Sequence, residues 1–150
     1  MRILVTGGAG FIGSHVVDAL VERDEEVIII DNLSTGSIRN INPKATFYKL
    51  DINSAIIEEV FRSGIDIVIH LAAQLSVPKS LKDPVHDARV NISGSLHLIE
   101  LSKTYQVKKL IYTNSAAIFG NTTNLPIDEN HQIKPESPYG ISKSTVEQYL

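Results

Sequence analysis

Residues 2–13 read RILVTGGAGFIG. An apolar run with a β-branched bias, Arg2–Thr6, passes straight into Thr6-Gly7-Gly8-Ala9-Gly10-Phe11-Ile12-Gly13. A helical spacing of apolar residues (Phe11, Ile12, Val16, Ala19, Leu20) then continues as far as Arg23. The glycines satisfy GxGxxG through Gly8, Gly10 and Gly13, and the wider GxxGxxG through Gly7, Gly10 and Gly13. Glycine lets a backbone turn sharply and approach a pyrophosphate closely, and the free N–H groups of the helix that follows face the phosphates. This stretch therefore predicts a dinucleotide-binding turn between a first strand and a first helix. Asp31 stands 18 residues past Gly13, at the end of the next apolar run, Val27–Ile30. That is the spacing of a carboxylate that grips ribose hydroxyls. It accepts from both hydroxyls of NAD and repels the 2′-phosphate of NADP, and no basic residue follows until Arg39, so the reading favours NAD.

Outward from this unit the chain keeps alternating. Thr46–Leu50, Asp66–Leu71 and Lys108–Thr113 read as strands. Ser54–Ser63, with Ser54 as N-cap, Asp83–Tyr105, with Pro84 in its first turn, and Ser137–Leu150, with Pro138 near its start, read as helices. Unbroken apolar strands alternating with helices predict an α/β fold: a doubly wound parallel sheet of Rossmann type, covered on both faces, with right-handed crossovers. Residues 121–138 form the longest stretch without periodicity and hold Pro126, Pro135 and Pro138; a loop of that length is expected to be functional or a lid.

The composition suits one domain. The chain has 150 residues, 43% apolar and 21% charged, with a net charge of −3. A domain of this size hides roughly 70% of its unfolded surface. The mild negative charge gives no global attraction for nucleic acid or an anionic membrane. Zero cysteines exclude disulfides, thiol catalysis and Cys-based metal sites. The apolar stretches are too short to span a bilayer, and the glycine-rich start does not read as a signal peptide. The expectation is a cytoplasmic protein without nucleic-acid or membrane partners. The five histidines (His15, His70, His86, His97, His131) are scattered, and no metal site is expected.

Three further residues carry chemistry. Tyr139 and Lys143 are four apart on a predicted helix and share a face. A phenol of pKa about 10 is a poor base; bringing it to near 7 takes roughly 4 kcal/mol, and a neighbouring ammonium favours the phenolate. Such a tyrosine can take or return a hydroxyl proton while hydride moves to or from a nicotinamide. Ser115, just past the fifth strand, could hydrogen-bond the same hydroxyl.

TGGAGFIG, DNLSTG from Asp31, Asp51-Ile52, HLAAQ at residues 70–74, Asn91, NSAAIFG at residues 114–120 and SPYGISK at residues 137–143 occur in that order. Together they resemble the extended short-chain dehydrogenase/reductase family, in its nucleotide-sugar epimerase and dehydratase branch, over the whole chain. The resemblance implies an NAD-binding domain with Gly7, Gly10, Phe11, Ile12 and Gly13 at the pyrophosphate. It puts Asp31, Asn32, Ser34, Thr35 and Gly36 at the adenosine ribose, and Asp51 and Ile52 at the adenine. Leu71, Ala72, Ala73 and Asn91 would lie along the cofactor. Ser115, Tyr139 and Lys143 correspond to the catalytic triad, Lys143 also reaching the nicotinamide ribose, and Ser76 and Ala117 would lie near the sugar.

Sugar 4,6-dehydratases of the branch carry an Asp-Glu pair after the catalytic Ser or Thr; here Ala116 and Ala117 stand there, and the Ala72–Val77 run is similar to UDP-hexose 4-epimerases. The implied activity is 4-epimerisation of a UDP-hexose, UDP-glucose/UDP-galactose first and the N-acetylated pair second. Another nucleotide-sugar oxidoreductase, or a non-catalytic dinucleotide-binding module, are the alternatives. The resemblance also implies a homodimer through the helices at Asp83–Tyr105 and Ser137–Leu150. Family members continue past strand five and the start of the active-site helix into further strands and a substrate domain, so the 150 residues are expected to be an incomplete Rossmann domain. Three positions depart from the pattern: Asp24 where a capping Gly is usual, Asn114 where Ser or Thr is usual, and Phe119 where Tyr is usual.

Overall fold

Five strands, β1 (Arg2–Thr6), β2 (Glu26–Ile30), β3 (Thr46–Tyr48), β4 (Ile67–His70) and β5 (Lys109–Tyr112), form one sheet in a computed structural model that describes residues 1–123 and 125–150. All four pairings are parallel and the order is β3-β2-β1-β4-β5, the doubly wound arrangement. In register, Leu4 lies between Ile28 and Val68, and Thr6 between Ile30 and His70. Alternation along the strands splits the core. Leu4, Ile28, Ile30 and Val68 cluster on one face with Ile57, Val60, Phe61, Leu98 and Leu101, whereas Ile3, Val5, Val27 and Ile29 cluster on the other with Val17.

The helices are α1 (Phe11–Val21), α2 (Ile57–Arg62), α3 (Val77–Lys82), α4 (Pro84–Ala88), α5 (Gly94–Thr104) and α6 (Pro138–Glu147). A π turn, Arg89–Ser93, joins α4 to α5, and a 3₁₀ turn spans Ala116–Phe119. The chain divides into two compact units. The first is Met1–Ala73 with His97–Thr113 and contains the sheet; the second is Gln74–Leu96 with Asn114–Leu150.

Most expected elements are present, with four corrections. The helical spacing of Phe11, Ile12, Val16, Ala19 and Leu20 marks the helix but only in part its inner face: Gly13, Ser14 and Val17 are buried and Leu20 packs on the same cluster, while Phe11 is 81% and Ile12 59% exposed. The first turn of α1 continues the glycine turn past the end of β1, and the helix rests on the sheet through its second and third turns. Ser54 does not cap α2: its Oγ accepts from the Ile56 N–H at 3.4 Å in a turn, and α2 starts without a side-chain cap at Ile57. The expected helix over residues 83–105 is interrupted by the π turn. Helix α3 was not expected; Ser76 caps it by accepting from the Lys79 N–H, with Pro78 in its first turn. No helix or strand occurs between Gly120 and Ser137 among the described residues, in keeping with the loop reading; Asn124 of that loop lies outside them.

Three helices end with a residue in the left-handed region that turns the chain into the next strand: Asp24 (φ 56°), Gly64 (φ 84°) and Gln106 (φ 54°). At two of them the bonds close as a Schellman motif, Glu25 N–H to Leu20 O with Asp24 N–H to Val21 O, and Val107 N–H to Ser102 O with Gln106 N–H to Lys103 O. Asp24 thus takes the conformation for which the family pattern carries Gly.

Candidate functional site

In the first unit the site residues gather at the C-terminal ends of β1, β2 and β4. Gly7 leaves β1 at φ +73°, and a Cβ there would sit 2.7 Å from the Ala72 backbone nitrogen. A Cβ on Gly13 would lie 2.1 Å from the Gly7 carbonyl oxygen. The turn is therefore closed against its own helix and against the end of β4, and neither contact can yield without moving backbone. Gly10, the N-cap of α1, makes no side-chain cap bond. The first-turn N–H groups of α1 are thus left to whatever the turn cradles.

Ala9, fully buried in this turn, fastens the acidic loop after β2. Its N–H donates to Asp31 Oδ2 (3.0 Å), and its carbonyl accepts from the Ser37 N–H (3.0 Å) and Asn40 Nδ2 (3.0 Å). The other Asp31 oxygen, Oδ1, accepts from the Leu33 N–H at 2.8 Å, with Leu33 in the left-handed region at φ 59°. Asp31 is 8% exposed. The expected ribose residues stand beside it. Asn32 donates to Asp51 Oδ2 at 2.8 Å, joining an expected ribose contact to an expected adenine contact, while Ser34 and Thr35 are exposed and Gly36 packs on Ala9. The Ile52 side chain is buried in the core and its carbonyl meets His97 Nδ1 at 2.8 Å, so both are already engaged within the protein. At the end of β4 the Thr6 hydroxyl accepts from the Ala72 N–H (3.3 Å) and meets His70 Nδ1 at 2.7 Å, and Leu71 N–H donates to Thr6 O. Leu71, Ala72 and Ala73 are thereby held in line beside Gly7.

In the second unit Ser137 caps α6, accepting from the Gly140 N–H at 3.1 Å, which sets Tyr139 and Lys143 one turn apart on that helix. A Cβ on Gly140 would lie 2.4 Å from the Ala117 carbonyl, so α6 presses directly on the 3₁₀ turn that Ser115 caps. Ser115 Oγ accepts from the Ala117 N–H at 3.2 Å, and its own N–H donates to Asn114 Oδ1 at 2.9 Å. Asn114 also donates to Glu147 Oε2 near the end of α6 (2.6 Å), which gives this departure from the pattern a structural use. The expected catalytic residues Ser115, Tyr139 and Lys143 are thus brought together within one unit.

Lys143 is 5% exposed, and burial pushes its ammonium down to about 8 while attraction to Asp87 works against that shift.

No sequence motif marks the polar groups packed around α6. Asp87, fully buried on α4, accepts from Gln74 Nε2 (2.8 Å) and Asn91 Nδ2 (3.1 Å) through Oδ1, and from Ser142 Oγ (2.7 Å) through Oδ2. Asn91, expected along the cofactor, spends its amide on the protein: Oδ1 accepts from the Gln74 N–H and Nδ2 donates to Gln74 O. Ser76, expected near the sugar, is bound at its N–H by Gln74 Oε1 (2.7 Å). An acid four residues before Asn91 was the available signal, since i, i+4 side chains meet on a helix. Among the described residues no His/Cys/Asp/Glu group could hold a metal ion.

The profile of the NAD dependent epimerase/dehydratase family matches residues 3–150. The chain belongs to that family. This epimerase/dehydratase family member is similar to the UDP-glucose 4-epimerase of Thermotoga maritima, solved with UDP-glucose (48% identity, TM-score 0.95, covering 99% of this chain and 50% of that one). It is also similar to the Thermus thermophilus UDP-glucose 4-epimerase in complex with NAD (42%, TM-score 0.95, 99% and 49%). Among curated relatives, the UDP-glucose 4-epimerase of Lacticaseibacillus casei is 38% identical over 100% of this chain and 46% of its own length. The family member spans about half the length of the curated relatives it matches.

Proposed function

We propose that the chain is the NAD-binding domain of a UDP-hexose 4-epimerase, with UDP-glucose and UDP-galactose as its substrate pair. The observation that carries this reading is Tyr139 and Lys143 on a helix that Gly140 lets press on the turn capped by Ser115, in a chain whose Gly7–Gly13 turn leaves helix N–H groups to an anion and whose Asp31 carboxylate is fixed in place. These features fit NAD: the closed turn and the uncapped start of α1 suit a pyrophosphate, and each Asp31 oxygen retains a lone pair for a ribose hydroxyl. When bound, NAD supplies the acceptor and donor of the C4 hydride. The protein's task is the proton. Lys143 as an ammonium favours the Tyr139 phenolate, which takes the proton of the sugar 4-hydroxyl and later returns it, while the Ser115 hydroxyl holds that oxygen. Ala116 and Ala117 supply no acid or base, which supports epimerisation over dehydration.

In the same reading Gly7, Gly10, Phe11, Ile12 and Gly13 hold the pyrophosphate, Asp31 to Gly36 with Asp51 and Ile52 hold the adenosine, and Ser76 and Ala117 lie toward the sugar. Asn91 acts through Gln74. We also propose a cytoplasmic homodimer through the α4–α5 and α6 helices. Supporting this are Val85 (77% exposed), Leu81 (62%) and Ile141 (50%), large apolar side chains left uncovered on those helices and on α3 beside them.

The test is turnover of UDP-glucose followed by NMR, with NADH read by absorbance. UDP-galactose without net NADH is expected, and Tyr139→Phe should lower the rate about a thousandfold. Stoichiometric NADH would make the protein a dehydrogenase, turnover restricted to UDP-N-acetylglucosamine would change the sugar, and NAD binding without turnover would leave a binding module.

A further inference from the structure

Helix α6 carries the two residues on which the proton chemistry depends, and what lies behind it is polar. In the second unit it packs against α3, α4, the π turn and the 3₁₀ turn. The charged or titratable side chains on those elements are Lys79 and Lys82 on α3, His86 and Asp87 on α4, and Arg89 in the π turn. All are exposed except Asp87, which is fully buried. Three donors converge on its two oxygens, from Gln74, Asn91 and Ser142, the arrangement of an ionised acceptor. Ser142 is the neighbour of Lys143, and the attraction of Asp87 for the Lys143 ammonium opposes the effect of its burial.

We propose that Asp87 is the positioning residue of this site: a buried anion that anchors α6 through Ser142, orders the Gln74–Ser76 loop, and keeps the Lys143 side chain an ammonium beside Tyr139. This deepens the epimerase reading and rests on it for its kinetic consequence, but not for its electrostatic one. A carboxylate in a low-dielectric surrounding stabilises a nearby cation far more than an exposed one does. Its three hydrogen bonds hold it there without a ligand. The amide of Asp87→Asn has nearly the same shape, yet it loses the charge and turns a donor toward one of the three donors it must accept from.

The deciding measurement is the titration of the Lys143 Nζ by NMR in ¹⁵N-lysine-labelled protein, in the unsubstituted chain, in Asp87→Asn and in Ser142→Ala. In Asp87→Asn the midpoint should fall by about one pH unit or more, a tenfold or larger loss of proton affinity. Ser142→Ala, which keeps the charge, should leave it in place. In an active protein, Asp87→Asn should also lower kcat about tenfold, leave KM within about twofold, and move the pH–rate profile to lower pH. A purely structural role would lower the rate without moving the profile.

An unchanged Lys143 titration in a folded Asp87→Asn overturns the proposal and leaves the epimerase reading standing. A shifted titration in a protein that turns over no UDP-hexose sinks the epimerase reading and leaves Asp87 as proposed. If Asp87→Asn does not fold, Lys143→Met is added: recovery of folding in the double variant supports the charge pairing, and continued failure overturns it.

Discussion

The Asn91 side chain pairs with Gln74 as one peptide group pairs with another: Gln74 N–H to Asn91 Oδ1 at 2.8 Å, and Asn91 Nδ2 to Gln74 O at 2.9 Å. The remaining Nδ2 hydrogen goes to Asp87. Asn91 is 2% exposed, so nothing replaces these bonds when they are lost. Asn91→Ala should cost about 3 kcal/mol, because it strands the Gln74 backbone groups and one lobe of Asp87. Asn91→Asp should cost more, since it aims an acceptor at Gln74 O and Asp87. Urea unfolding of the three proteins checks both.

Gly13→Ala tests the glycine turn. The added methyl would meet the Gly7 carbonyl at 2.1 Å, and the contact is backbone on both sides. The turn must open, so NAD affinity by calorimetry should fall at least about tenfold, with a loss of about 2 kcal/mol or more in stability.

Burial of Lys143 sets a pH dependence whose sign is fixed. Its ammonium titrates at about 8 in the folded chain and at 10.5 in its ordinary state. Between those values the unfolded chain binds the extra proton, so stability rises with pH across this window. At neutral pH the full penalty is present, about 3 kcal/mol at 1.36 kcal/mol per unit. In Lys143→Met this rise should be missing, and a comparison of unfolding free energies of the two proteins between pH 8 and 10 reads it directly.

Two helix ends leave room for stabilisation. Asp24 and Gln106 occupy left-handed conformations that cost a side chain about 1 kcal/mol, and both are exposed. Asp24→Gly and Gln106→Gly should each raise stability by several tenths to about 1 kcal/mol, visible as a higher thermal midpoint.

Ser102 offers a third such site. Its Oγ is buried without a hydrogen-bond partner among the described residues. Ser102→Ala removes that group and improves helix propensity, for a gain of about 1 kcal/mol by the same measurement.

How much of this could be read from the residues depended on how local the cause was. Gly7 at φ +73° and Gly13 against the Gly7 carbonyl are local demands that only one residue type meets, so their spacing already located the turn. Ser137 followed by Pro138 located the start of α6 for a similar reason. The parallel sheet followed from the unbroken apolar runs within Val27–Ile30 and Asp66–Leu71. What the residues could not say was which side of α1 meets the sheet, because Val16 and Val17 suit either face and contact with β1 and β2 chooses Val17. Helix α3 was hidden by its six residues, too few for a period, although Ser76 and Pro78 marked its beginning. The Asp87 group was hidden because its partners, Gln74, Asn91 and Ser142, come from three separate stretches of chain that only the fold assembles.

Asp31 carries a consequence for the heat of ligand association. Its two oxygens are already held by the Ala9 and Leu33 N–H groups and its surroundings are nearly dry. In the proposed reading, where Asp31 meets the ribose, the ordering and drying of this carboxylate occur when the chain folds, not when the ligand arrives. Association there should then be enthalpic, with a small entropic penalty. A substitution that loosens residues 31–33 without touching a ligand would then appear as a larger entropic penalty on association, at an enthalpy close to the original.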